Sequence, residues 1–171
     1  MIGFVRVPVI TIRPRTVEDL PSCVAALHEV YEADAYPAVW PEDPARWLTP
    51  AKLVDARIAE ADRAVVGQVG IRESTLPEPV YAAIGNIASI SVTRLFVVPS
   101  RRRHGVGRRL LDAAVEIAEQ RGRRAVLDVE DGGVAAISLY ERAGWRRVHS
   151  GPGDWTTPDG RKAFLHYYLG P

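Results

Sequence analysis

The run from Ser89 to Val129 restricts the possible folds of this chain more than any other. Ser89–Val98 (SISVTRLFVV) is dense in β-branched residues, closes at Pro99 and reads as a buried strand. A short turn carrying Gly105 and Gly107 follows. Val106, Leu110, Leu111, Ala114, Val115 and Ala118 then recur at helical spacing, and Arg121-Gly122 ends the helix with a cation and a C-terminal glycine. Ala125–Val129 is a short apolar strand. Such a strand–helix–strand unit returns its second strand parallel to the first by a right-handed crossover. The chain must therefore build an α/β sheet with a helix laid across it.

The flanking segments fit around that unit. Val7–Arg13 reads as a strand, with Pro8 near its start, where a missing N–H is tolerated, and Pro14 at its end. Thr16 or Asp19 can cap the next helix, whose apolar positions are Leu20, Val24, Leu27 and Tyr31. Pro21 favours Asp19, because proline suits a first helical turn. Residues 33–50, rich in proline and aromatics, are expected as an irregular loop with at most a short helix. Val54, Ala56 and Ile58 alternate with polar neighbours, and Asp62-Arg63 turns the chain into Ala64–Arg72. This predicts a hairpin, with a helix over Ala51–Ala61 as the alternative. Ser74–Gly85, holding Pro77 and Pro79, is expected as an exposed loop.

Val134–Ala143 is expected as a helix stopped by Gly144. Trp145–His149 and Ala163–Leu169 are expected as the last strands, joined by a loop containing Gly151-Pro152-Gly153 and Pro158-Asp159-Gly160. With 171 residues, no internal repeat and no linker, a single domain over residues 1–171 is expected.

Composition removes several function classes. Twenty-two basic against 21 acidic residues give a net charge of +1, so no global pull toward nucleic acid or anionic lipid is expected. No apolar run approaches the ~20 residues of a membrane-spanning helix. The opening MIGFVRVPVITIRP is broken by Arg6 and Pro8, unlike the core of a signal peptide. The single cysteine, Cys23, cannot form an internal disulfide, and a cytoplasmic setting is expected. His28, His104, His149 and His166 show no metal-ligand spacing, so no metal is expected.

Chemistry concentrates at the turn after the central strand. Glycine lets a backbone approach a ligand closely. The first amides of a helix have no internal partner, and the macrodipole adds partial positive charge. Together with flanking arginines these make an anion site. A Walker loop would need Gly-Lys-Ser/Thr, and a dinucleotide fingerprint a third glycine where the chain reads Arg108-Arg109-Leu110; both fail. The pattern that fits is R-x-x-G-x-G, written Arg102-Arg103-His104-Gly105-Val106-Gly107. The same arginines could form a solvated basic face or a nucleic-acid patch. The near-neutral chain and the lack of interleaved aromatics favour phosphate.

That pattern after a strand ending V-x-P resembles the pyrophosphate loop of the GNAT superfamily of N-acetyltransferases. Ala136-Ile137-Ser138-Leu139-Tyr140-Glu141-Arg142-Ala143-Gly144-Trp145 resembles the second hallmark of that family, A-x-x-L-Y-E-x-x-G-F. The resemblance implies an acyl-CoA N-acyltransferase fold of the α/β class. Its central sheet is mixed, with a bulge and splay between the two middle strands and helices on both faces.

It further implies acetyl-CoA as acetyl donor. Phe96, Val97 and Val98 would pair with the pantetheine arm. The amides of Arg103, His104, Gly105, Val106, Gly107 and Arg108, with Arg102 ahead of them, would surround the pyrophosphate. Tyr140 would act as general acid toward the departing thiolate, and the N–H of Val97 or Val98 would stabilise the oxyanion. Without the family context Tyr140 reads as a core tyrosine.

The implied reaction is direct attack by an amine, most simply one on a small molecule. A protein amine and a catalytically weak acyl-CoA sensor are the alternatives, and a homodimer fits the family's habit. The sequence departs from the family at two places. Ser91 stands where a glutamate is common on the central strand, and Gly133 where an asparagine is common. The base is thus left among Glu130, Asp131, Asp34, His166 and a water relay, and the turn after Asp131 is expected to be loose. Asp34, Tyr36 and Trp40, in the loop where the family builds its acceptor pocket, could hold the acceptor; the aromatics could equally pin that loop to the sheet.

Overall fold

The computed structural model describes residues 7–171; residues 1–6, on which part of the reading of the opening segment rests, lie outside it. Seven strands form one mixed sheet in the order β1-β2-β3-β4-β5-β7-β6. They are β1 (Ile10–Pro14), β2 (Leu53–Ala61), β3 (Ala64–Arg72), β4 (Ser89–Val97), β5 (Arg124–Glu130), β6 (Arg146–Thr156) and β7 (Lys162–Leu169). The helices are α1 (Leu20–Asp34), α2 (Pro44–Trp47), α3 (Glu78–Ala83), α4 (Val106–Gln120) and α5 (Val134–Arg142). None of the described helices is long and apolar enough to cross a membrane.

The β2–β3 hairpin forms as the alternation predicts, turning on Asp62 and Arg63, both with positive φ. Asp19 stands at the N-cap position of α1 without a side-chain bond to that helix; its carboxylate closes the preceding 3-10 turn, accepting the Thr16 amide at 2.7 Å and a two-pronged bond from Arg13. The first strand begins at Ile10, three residues later than expected.

Two segments differ more. Ser74–Gly85 is not an exposed loop but contains α3, whose Val80 is fully buried together with Leu76 and Ile84. Leu76, Val80 and Ile84 repeat every four residues, and Pro79 sits in the first turn, where it costs no hydrogen bond. β6 runs on to Thr156 through the expected loop, because it is an edge strand and Pro152 can leave its outer side unpaired.

The sheet is covered on both faces. A Cβ on Gly67 would meet Leu110 of α4, whereas the adjacent Gln68 turns to the other side, where its Oε1 accepts Arg15, which also bonds the Leu48 carbonyl beyond α2. α4 thus lies on one face, with α1 and α2 on the other. A smaller cluster of Leu76, Val80, Ile84, Val126, Leu165, Tyr167 and Leu169 seats α3 against β5, β7 and β6. α5 lies on the face of α4, with Leu139 against Gly107 and Tyr140 stacked 5.9 Å from Tyr168.

Candidate active site

β4 and β5 run parallel, as the crossover requires, but only Ser89, Ile90 and Ser91 pair with Arg124, Ala125 and Val126. Beyond Ser91 the two strands part. On its other side β4 stays with β3 and takes up one extra residue near Arg94, whose φ is +54°. The kink is pinned: Gln68 donates to the Arg94 carbonyl at 3.2 Å, Arg94 Nε donates to the Trp47 carbonyl at 3.1 Å, and its guanidinium lies 3.9 Å from the Trp47 ring centre. A wedge-shaped opening therefore stands in the middle of the sheet.

Main-chain groups alternate sides along a strand. The Val98 amide is used on β3, donating to Val66 O at 2.9 Å, so the main-chain groups of Val97 face the opening. The Val97 carbonyl already accepts Arg102 Nε at 3.1 Å. Of the two amides expected to stabilise an oxyanion, Val97 is the one with its N–H directed there.

At the wide end of the wedge α4 begins. Its first helical bond runs from Arg109 N–H to Gly105 O at 3.1 Å, leaving the amides of Val106, Gly107 and Arg108 without carbonyls inside the helix. Gly105 has φ +77° and nothing within 4 Å of where a Cβ would stand. Gly107 is different: a Cβ there would lie 3.0 Å from Leu139 Cδ2, so it permits α4 to approach α5. A cradle of bare amides facing empty space fits a diphosphate. The arginine side chains are mostly occupied elsewhere. Arg102 pairs with Asp34, Arg108 with Asp112 at 3.0 Å, Arg101 with Asp62 at 3.3 Å, and Arg109 bonds Ile10 O at 2.6 Å. Arg103 is exposed, and His104 Nδ1 contacts the Arg102 carbonyl at 2.8 Å.

Tyr140 is 8% exposed, and burial raises its phenol pKa well above the ordinary tyrosine value, with smaller contributions from Tyr36, Asp128 and Tyr168. Burial also pushes Tyr36 up to about 12. Tyr36, in the loop after α1, stands edge-on to Trp47 at 5.8 Å, on the side of the wedge where Trp47 holds Arg94. Trp40 does not reach it; it packs on His28 and Tyr31 of α1 at 5.1 and 5.3 Å. Asp34 is engaged by Arg102. Trp40 and Trp47 therefore pin the loop, and of the three acceptor candidates Tyr36 alone bears on the electrostatics of Tyr140.

Of the expected acid–base candidates, His166 and Asp131 engage each other and Asp34 pairs with Arg102. His166 is buried between Ser150 Oγ at 2.6 Å from Nδ1 and Asp131 at 2.5 Å from Nε2, on the sheet face of Tyr168. Ser91 is buried with its hydroxyl bonded to Ser74. Gly133 does not loosen its turn: its amide bonds Glu130 O at 2.9 Å, and a Cβ would stand 2.9 Å from Val129 Cγ2. A side chain there would clash, so the turn is tight.

The residue that sequence reasoning missed is Asp128. It pairs in register with Tyr167 and shares the face of Val126, opposite to Leu127, Tyr168 and Tyr140. There it lines a cavity of about 380 Å³ with Arg72, Ser91, Thr93, Trp155 and Tyr167. Asp128 is solvent-exposed, and the partial desolvation it still feels from neighbouring protein raises its carboxyl pKa, against the opposing pull of Arg72 and Arg94. Another groove of about 420 Å³, at the β1 edge near Arg57 and Arg109, lies away from the wedge.

A family model described as the acetyltransferase (GNAT) family matches residues 21–145. Solved structures agree in fold. The ribosomal-protein-S18-alanine N-acetyltransferase of Escherichia coli superposes with a TM-score of 0.69 at 19% identity, over 95% of this chain and 94% of that one. YncA of Salmonella typhimurium, solved with its cofactor acetyl-CoA, gives 0.68 at 20%, over 94% and 92%. NAA60 of Arabidopsis thaliana, in complex with a bisubstrate analogue, gives 0.72 at 19%, over 94% and 97%.

Proposed function

The chain belongs to the acetyltransferase (GNAT) family, whose acetyl donor is acetyl-CoA, and from that premise we propose that it acetylates a small-molecule amine held in the cavity beside Asp128. One observation carries this reading. Asp128 lines the cavity where β4 and β5 part, and Tyr140 lies on the opposite face of the sheet within reach of its charge.

When bound, the donor supplies a thioester carbonyl that the amine attacks. The amides from Arg103 to Arg108 hold its diphosphate, and the main chain of Val97 lines its arm. The incoming amine must be neutral; an amine of pKa ~10.4 carries a deficit of roughly 4–5 kcal/mol at neutral pH. Asp128 lowers that barrier by attracting the ammonium form into the cavity and accepting its proton. Its raised pKa brings the carboxylate nearer the range in which a base works at neutral pH. The Val97 N–H stabilises the developing oxyanion. As the C–S bond breaks, Tyr140, kept as a phenol by burial, donates its proton to the leaving sulfur, and the new amide nitrogen sheds its extra proton, which restores the phenol.

The test has two stages. Acetyl-CoA is titrated into the protein by calorimetry, and thiol release is then followed across small amines, peptides and aminoglycosides. Saturable donor binding with turnover of small amines is expected. Donor binding with no release from any acceptor would establish a sensor instead, and release with peptides alone would move the acceptor out of the cavity.

A further inference from the structure

The cavity holds a cation that no side chain bonds among the described residues. Arg72, at the end of β3, is half-buried and lines the cavity, and among the described residues no hydrogen bond or ion pair engages its guanidinium. The next arginine on this side, Arg94, is spent on Trp47. Register sets the geometry. Arg72 pairs with Ser91, Ser91 with Val126, and Asp128 lies two residues beyond Val126. Arg72, Ser91 and Asp128 therefore share one face, with β4 between the two charges and about 10 Å from β3 to β5. A guanidinium and a carboxylate thus stand on opposite walls of one small cavity, separated by the Ser74–Ser91 hydroxyl pair, with the exposed Asp154 and Trp155 also lining it.

We propose that the acceptor is a small zwitterion, an amine carrying its own carboxylate, as an amino acid does. The amine goes to Asp128 and the carboxylate to the Arg72 fork. This inference rests on the reading that the cavity takes the acceptor. A guanidinium binds carboxylate through two parallel N–H bonds, which fixes orientation as well as charge. The competing acceptors meet this site badly. A peptide N-terminus brings an amide where the carboxylate should be, leaving Arg72 desolvated without a partner. A polyamine or aminoglycoside sets a second cation against Arg72.

The experiment compares each standard L-amino acid with its own carboxamide. Calorimetry on the CoA-saturated protein measures binding, and thiol release from acetyl-CoA measures turnover. At least one amino acid should exceed its carboxamide by about tenfold or more in both. R72Q should bring that amino acid down to the level of its amide, and R72K should keep part of the preference. Equal or better performance by the carboxamides in the unaltered protein, which needs no variant, overturns the proposal. So does failure of every amino acid to bind, or a preference that survives R72Q. A binding preference without any thiol release upholds the Arg72 assignment and overturns the transferase reading instead; release with amides or peptides alone does the reverse.

Discussion

At the scale of single residues, the paired environments of Tyr140 and Asp128 make opposite demands on a proton. Tyr140→Phe removes a donor that matters only as sulfur departs, so kcat should fall by about a hundredfold or more while the Kd for acetyl-CoA barely moves. Steady-state kinetics beside calorimetry checks the split. Asp128 works only when ionised, so kcat/KM should rise through an apparent pKa above the usual carboxylate range, and Asp128→Asn should abolish that limb. Stability has the opposite sign. A carboxyl with a raised folded pKa is penalised for ionising, and the penalty is fully present above that pKa. Asp128→Asn should therefore leave the neutral-pH melting temperature unchanged or higher while activity falls. Sequence reading singled out Tyr140, because it sits in a segment that resembles a hallmark motif. Asp128 is the one acid within the apolar run Ala125–Val129, and only the parting of β4 from β5 reveals what it faces.

At the scale of elements, two glycines one residue apart do different things. Gly105→Ala places a Cβ at φ +77° in the space a diphosphate needs, so it should cost about 1–2 kcal/mol of stability and abolish acetyl-CoA binding. Gly107→Ala presses on Leu139 instead; about 1–3 kcal/mol should be lost in urea unfolding while donor binding persists in the folded fraction. Asp19, whose carboxyl Arg13 and the Thr16 amide hold well below the usual range, anchors the start of α1. Asp19→Ala should cost about 1 kcal/mol at neutral pH. That difference should vanish as acid protonates the native carboxylate, since a depressed pKa contributes only above it. The central strand–helix–strand unit and the hairpin were legible from periodicity and turn residues. α3 was not, because Pro77 and Pro79 read as breakers until Leu76, Val80 and Ile84 are seen to share a buried face.

For the whole molecule, the fold class was legible because strand and helix periods alternate along the chain. The proposed acceptor site was not, because Arg72, Ser91 and Asp128 come from three separate strands and meet only through register. A ligand that binds the native state alone stabilises it by mass action. Acetyl-CoA at about a hundred times its Kd should add about 2.7 kcal/mol, seen as a concentration-dependent rise in melting temperature.

The short pairing of β4 with β5 has a mechanical corollary. Three residue pairs form the backbone ladder between the larger part of the sheet, β1 to β4, and the smaller part, β5 to β7; the main core continues across both under α4, and the smaller part adds an apolar cluster of its own beneath α3. The donor would run down the gap like mortar between two blocks. Amide-exchange rates of the two blocks should differ in the empty protein and converge once the joint is filled.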